Sequence, residues 1–301
     1  MTRCVYTRTR QQGVAIIGAL VVVAAASVAT ASIMERQALL ADTLIGELDR
    51  TQAKWLLRSG LDWSRIILFN DARRNSVTLK NAIWAQPIFR LEVSTPGDAR
   101  KAYFSGQIED EQSKYNILGL SVQGIVQPEE LAVLERLLAG LHIPASVATA
   151  IAQRVADTQA GQHIEQAAPG LRAVDDLLGI EGMSHDIAAI LSSYLSVLPQ
   201  KTTINANTAS AEVLSASIPG LDLAQARSLV DQRDRGQWFN SGADFFNRLG
   251  NPAINPGNQI GVSSEWFKVT GEVTLNHIEA GMQALLHRQS GAPPLIRWIK
   301  N

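Results

Sequence analysis

From Gln11 to Met34 the chain carries no charged side chain, and Val14 to Ile33 reads VAIIGALVVVAAASVATASI. No other feature limits the possible folds as strongly. Twenty residues of helix rise about 30 Å, the thickness of a bilayer's hydrocarbon core. The core of a secretory signal is shorter, about 7–15 residues. Arg3, Arg8 and Arg10 precede the run and no acid does. The bias of positive charge toward the cytoplasm therefore keeps residues 1–13 inside and sends the remainder across.

The run can be cut at either end. Ala29-Thr30-Ala31 forms a small-residue site of the kind signal peptidase uses, which would discard the helix. The residues beyond Met34 favour keeping it. No Pro occurs before Pro87, and apolar residues recur at helical spacing as Leu40, Leu44, Leu48, Trp55, Ile66 and Ile67, with charges between them. The spacing predicts one helix running from the apolar run to about Asn70. At the other end, Arg8-Thr-Arg-Gln-Gln-Gly13 before Val14-Ala15-Ile16-Ile17 resembles a type IV prepilin leader. In that family a dedicated peptidase cuts after the Gly, here between Gly13 and Val14, and the helix is retained. Most pilin-like subunits carry Glu at the fifth residue after the cut, where it meets the α-amino group of a neighbour. Here that residue is Gly18. An unpaired carboxylate in hydrocarbon is costly, so its loss points to a subunit with none ahead of it.

The 301 residues suffice for one large or two ordinary domains beside the anchor. Removing the three leader arginines from 27 basic residues leaves 24 against 28 acids, a formal charge of about −4. That balance opposes general affinity for nucleic acid. The only cysteine, Cys4, lies in the leader, so the processed chain has no disulfide, thiolate metal site or thiol nucleophile. The five histidines show no metal-binding spacing, and neither a nucleophile elbow nor a phosphate loop occurs. Nothing suggests an enzyme.

Beyond the helix, Ile88 to Val93 alternates, Thr95-Pro-Gly-Asp98 signals a turn, and Ala102 to Glu109 reads as the returning strand. From Leu118 to about Gly250 the pattern is helical, with helices at 128–141 and 146–159. Strands return at Trp266–Leu275, Met282–Gln289 and Pro294–Lys300. The simplest assembly is α+β. A pilin-like long N-terminal helix packs on an antiparallel sheet, and a large all-helical domain is inserted between strands. The expected bounds are leader 1–13, membrane helix 14–34, amphipathic helix and first strands 35–117, inserted domain 118–258 and last strands 259–301.

Within the insertion a pattern repeats 38 residues apart: Ile180-x-Gly182-Met183 with Ala188 and Leu191, then Ile218-x-Gly220-Leu221 with Ala226 and Leu229. A helix is expected before each copy, at Asp175-Asp176 and at Thr208 or Ser210. The repeat resembles the helix-hairpin-helix motif of DNA-repair proteins. A periplasmic DNA-binding protein of a competence-type system is thus the alternative function. In such hairpins a second Gly offers its N–H to phosphate. Here Ser184 and Asp222 hold that place and no Lys or Arg follows directly, so the hairpins read as packing units and nucleic acid is not an expected partner.

Three pieces together resemble the minor pseudopilin K family of type II secretion: Gln107-Ile-Glu-Asp-Glu-Gln-Ser-Lys-Tyr-Asn116, Ile204-Asn-Ala-Asn-Thr-Ala209, and the prepilin-like start lacking the fifth-position Glu. The resemblance covers nearly the whole chain. It implies a structural tip subunit of a periplasmic pseudopilus that initiates or caps the filament for protein export. It implies minor pseudopilins I and J as partners, prepilin peptidase as processing enzyme, a single pass through the inner membrane, and the secretin or secreted cargo facing the helical domain. Leu40, Leu44, Leu48 and Trp55 form the expected assembly face; the plainer alternative is that they pack only on the protein's own sheet, and a third is that each holds along a different length of the helix. Some members of the family hold calcium in the helical domain. Asp157, Asp175 and Asp176 are the candidate ligands here, with Glu165 nearby. One carboxylate at the matching loop is few for a cation wanting six or more oxygens, and the Asp pair also fits an ordinary helix start.

Overall fold

In a computed structural model the described residues are 12–94, 101–160, 170–251, 254, 257 and 259–300. Helix α1, Gln12–Arg74, has 63 residues and is about 95 Å long. It ends one turn beyond the expected Asn70, because Asp71 to Arg74 still lack a breaker. An 18-residue window within it has a mean hydropathy of 2.3, and none of that window is buried against the rest of the chain.

The second half of α1 packs on a five-stranded antiparallel sheet. Its strands are β1 (Ile88–Glu92), β2 (Ala102–Asp110), β9 (Trp266–Leu275), β10 (Ile278–His287) and β11 (Leu295–Lys300), in the order β1-β2-β9-β10-β11. The expected Thr95–Asp98 turn lies outside the described residues. β10 begins at Ile278, earlier than the expected Met282, because Asn276 adopts φ 53° and closes a tight two-residue turn from β9. Alternation decides the faces. Phe267, Val269 and Val273 of β9, Met282, Ala284 and Leu286 of β10, and Ala102 and Ile108 of β2 point to α1, which answers with Ala53, Leu57, Leu61 and Leu68. Gly60 lets the helix approach: a Cβ there would lie 2.5 Å from the Phe104 ring.

β2 and β9 are neighbours in the sheet, yet the chain between them forms the inserted domain. Its core reaches from Tyr115 to Ile260, slightly wider than the expected 118–258. The insertion carries α2 (Pro128–Gly140), α3 (Ala145–Ala160), α4 (His185–Leu191), α5 (Ala211–Ser217), α6 (Leu223–Asp234) and α7 (Gly242–Arg248). Pro128 opens α2 with Glu129 and Glu130 in its first turn. Three short ladders accompany the helices. β3 (Tyr115–Asn116) runs parallel to β6 (Leu195–Ser196), β4 (Ser121–Val122) forms a hairpin with β5 (Ile125–Val126), and β7 (Ile204–Asn205) runs parallel to β8 (Ile260–Gly261).

Candidate assembly surfaces and the root of the insertion

The two apolar stripes of α1 have separate roles. At 100° per residue, Leu57, Leu61 and Leu68 cluster on one side, and Leu44, Leu48 and Trp55 lie nearly opposite. Leu57 is 4% exposed and Trp55 is 68% exposed. Leu40, Leu44 and Leu48 are exposed like Trp55. The alternative in which this stripe packs on the protein's own sheet is therefore corrected: that place is filled by Ala53, Leu57, Leu61 and Leu68. Ile66 continues the outward stripe. Gly13 and Val14 lie in the first turn of α1, and a side chain at Gly18 would meet nothing within 4 Å. Packing within this chain thus does not impose Gly18.

Both hairpin repeats form tight turns. Gly182 and Gly220 have φ of +79° and +86°, a region that favours glycine, and Ala188 and Ala226 are buried behind them. Ser184 accepts a hydrogen bond from the Ile187 N–H at 3.2 Å, and Asp222 accepts from the Gln225 N–H at 2.8 Å. Each caps the following helix, so the place of a phosphate-facing Gly is filled by a capping oxygen. Ser210 caps α5 in the same way, accepting from the Val213 N–H at 3.3 Å, whereas Thr208 is engaged elsewhere. The helix expected at Asp175-Asp176 is a single 3-10 turn, Val174–Leu177. Asp176 closes it by accepting from the N–H groups of Arg172 and Ala173, and no periodic apolar face follows to extend it.

The same contacts bear on calcium. Asp157 accepts from Gln153 at 2.8 Å, Asp175 pairs with Lys300 at 3.8 Å, and Asp176 caps its own turn. Among the described residues no group of three His, Cys, Asp or Glu side chains gathers as a metal site, and Glu165 lies outside them. Each of the three carboxylates is thus engaged by another group of the chain.

Sequence reasoning missed the root of the insertion. Asp110 ends β2 and is buried. Its Oδ2 accepts from Thr208 Oγ1 at 2.5 Å, Ser264 Oγ at 2.6 Å and Asn205 Nδ2 at 3.0 Å, and its Oδ1 accepts from the Gln112 N–H at 2.9 Å. Burial pushes its carboxyl above the ordinary range, and these donors oppose that rise. Asn205 also donates to the Thr78 carbonyl at 3.1 Å. Arg288 spans from Asp71 of α1 at 3.1 Å to Thr78 Oγ1 at 2.6 Å and the Ser264 carbonyl at 2.5 Å. Burial lowers the Arg288 guanidinium below its usual value, and Asp71 opposes it. Beside this cluster Lys114 bonds Glu111 at 2.7 Å and Glu109 at 3.0 Å. Burial would lower the Lys114 ammonium, but the two carboxylates outweigh it and raise it. The 107–116 and 204–209 stretches are therefore the two sides of one buried polar joint.

A family profile described as type II secretion system protein K matches residues 113–200, and another of the same description matches residues 204–263. Type II secretion system protein K of Pseudomonas aeruginosa is 28% identical over 307 residues, covering 93% of this chain and 90% of that protein. The chain belongs to the type II secretion protein K family. The protein of the same name from Pectobacterium carotovorum subsp. carotovorum is 27% identical over 315 residues, covering 93% of each. Among solved structures, a chain of the GspK-GspI-GspJ complex from enterotoxigenic Escherichia coli superposes with a TM-score of 0.65 at 18% identity. It covers 85% of this chain and 97% of that one, and shares the fold. Protein K is a minor pseudopilin of the secretion system, a structural component and not an enzyme. The exposed apolar part of α1 fits a transmembrane anchor.

Proposed function

We propose that this chain is the tip subunit of a type II secretion pseudopilus. Prepilin peptidase cuts between Gly13 and Val14, and α1 stays in the inner membrane with its new N-terminus at the cytoplasmic face. The sheet and the inserted domain then lie in the periplasm. Leu40, Leu44, Leu48 and Trp55 dock the long helices of minor pseudopilins I and J, and the inserted domain faces the secretin or the secreted cargo. One observation carries this reading: an apolar stripe runs along α1 on the side away from its own sheet. A contiguous exposed apolar surface on a folded chain marks an interaction site. The Escherichia coli fold relative was solved together with GspI and GspJ, which supports the choice of partners. Gly18 supports the tip position, since no subunit ahead offers an amine to a carboxylate there.

Intact mass and N-terminal sequencing of protein recovered from membranes, with and without prepilin peptidase, test the reading. A chain starting at Val14 only when the peptidase is present is the expected result. A chain starting near Ser32 regardless of the peptidase would remove the anchor and the pseudopilus with it.

A further inference from the structure

A cleft of about 250 Å³ lies between the inserted domain and the outer face of the sheet at its C-terminal edge. Leu171, Val197 and Leu198 wall it from the insertion, and Leu285 and Trp298 wall it from β10 and β11. These two pair across the strands and so share the face turned from α1. Two guanidinium-bearing residues, Arg172 and Arg297, also line it, and both are exposed. Among the described residues no carboxylate pairs with either guanidinium. The acids nearest in sequence are engaged: Asp176 bonds backbone N–H groups and Asp175 pairs with Lys300. Arg297 is held instead over the Trp266 ring, 6.0 Å from its centre, which leaves its N–H donors free. β11 is the last strand of the sheet and pairs on one side only, so its other side offers unpaired backbone groups.

We propose that this cleft binds an extended acidic peptide segment, an aliphatic side chain entering between Leu198 and Trp298 while an adjacent carboxylate is gripped by Arg172 and Arg297. The chemistry selects this occupant. The cavity suits one medium apolar side chain and is too small for a folded element. Two guanidinia that no described carboxylate pairs, set beside apolar walls, hold a planar anion through charge-assisted N–H donors. The open edge of β11 favours an extended backbone, because strand addition supplies main-chain bonds and the cleft supplies selectivity. This surface is separate from the outward stripe of α1, so it does not rest on the docking of other pseudopilins.

The test uses the full-length protein in detergent and short fluorescein-labelled peptides carrying a central Val-Leu-Glu-Val run, read by fluorescence anisotropy. The Glu peptide is expected to bind at least about tenfold more tightly than the same peptide with Gln in its place, the typical effect of a charge-assisted pair. Replacing its Leu by Ser is expected to weaken binding by a similar factor. Arg172→Glu with Arg297→Glu should abolish binding of the Glu peptide and confer binding of a Lys version. Single Arg→Gln variants repeat the test if the double reversal lowers the melting midpoint. Equal affinity for the Glu and Gln peptides, binding unchanged in the Arg variants, or no binding of any peptide by the unaltered protein would overturn the proposal.

Discussion

Trp55 and Leu57 are two positions apart on α1, and their truncation should separate assembly from folding. Leu57 is 4% exposed and touches the sheet where a Cβ on Gly271 would come within 3.4 Å of it. Leu57→Ala removes transfer energy and leaves a cavity, together about 2–5 kcal/mol. At roughly 3 °C per kcal/mol for a protein of this size, the melting midpoint should fall by about 6–15 °C. Trp55 is 68% exposed. A Trp side chain carries up to about 250 Å², so about 170 Å² is available to a partner, equivalent to about 4 kcal/mol at 25 cal/mol per Å². Ordering and desolvation costs consume about half. Trp55→Ala should then weaken association with co-expressed minor pseudopilins I and J by about thirtyfold, or 2 kcal/mol. Its own melting midpoint should move by less than about 2 °C, since Ala is also the better helix former. Thermal melts in detergent and quantitative co-purification read the two effects. If Trp55→Ala melts as early as Leu57→Ala, or leaves association untouched, the division of α1 into two faces is wrong.

At the insertion root, Asp110→Asn should destabilise the fold by about 1–3 kcal/mol, because an amide must turn donors toward donors. Burial raises the folded pKa of Asp110 above its unfolded value, so the stability it contributes is lost as pH rises through the folded pKa. The difference in melting midpoint between wild type and Asp110→Asn should accordingly widen from neutral pH toward pH ~4, near the unfolded Asp value, and a difference that narrows would contradict this sign. Asp222→Ala should cost about 1 kcal/mol through loss of the α6 cap, measured by chemical denaturation, without creating salt-dependent affinity for duplex DNA. Adding calcium or a chelator should leave the melting midpoint unchanged; a rise with calcium would show that Asp157, Asp175 and Asp176 rearrange to meet it.

The sequence made the long helix legible through two local signals, a charge-free window and periodic apolar residues without Pro. The alternation of Trp266 to Leu275 and of Ala102 to Glu109 likewise placed strands, since one face of each meets α1. It could not tell which apolar stripe faced inward. Leu48 and Leu57 are the same residue type at similar helical spacing, and only the sheet, assembled from residues far along the chain, distinguishes them. The short turn at Asp175-Asp176 carried acids that suit any helix start, and its length was fixed by the backbone N–H groups that Asp176 accepts. The root was hidden for a different reason. Asp110, Asn205, Ser264 and Arg288 are polar residues without periodicity, and their burial follows from widely separated segments of the chain meeting. What the sequence did carry was the resemblance of the 107–116 and 204–209 stretches to one family, without the contacts that explain it.

Those contacts bear on how the protein can act as an assembled subunit. A domain inserted between neighbouring strands is joined by two covalent connections lying side by side, which by themselves permit it to swing about their common line. Here the joint is crossed by hydrogen bonds in several directions. Asp110 binds the first connection to Thr208 and Asn205 of the insertion and to Ser264 of the second connection. The Thr78 N–H donates to the Val262 carbonyl at 2.9 Å, tying the segment after α1 to the same place. Arg288 then fixes Asp71, on the last turn of α1, to Thr78 and Ser264. A swing would strand several buried donors and the Asp110 carboxylate, each at about 1–3 kcal/mol. The inserted domain is therefore tied to α1 and the sheet by buried side chains as well as by the two connections, and these bonds oppose a swing about their common line.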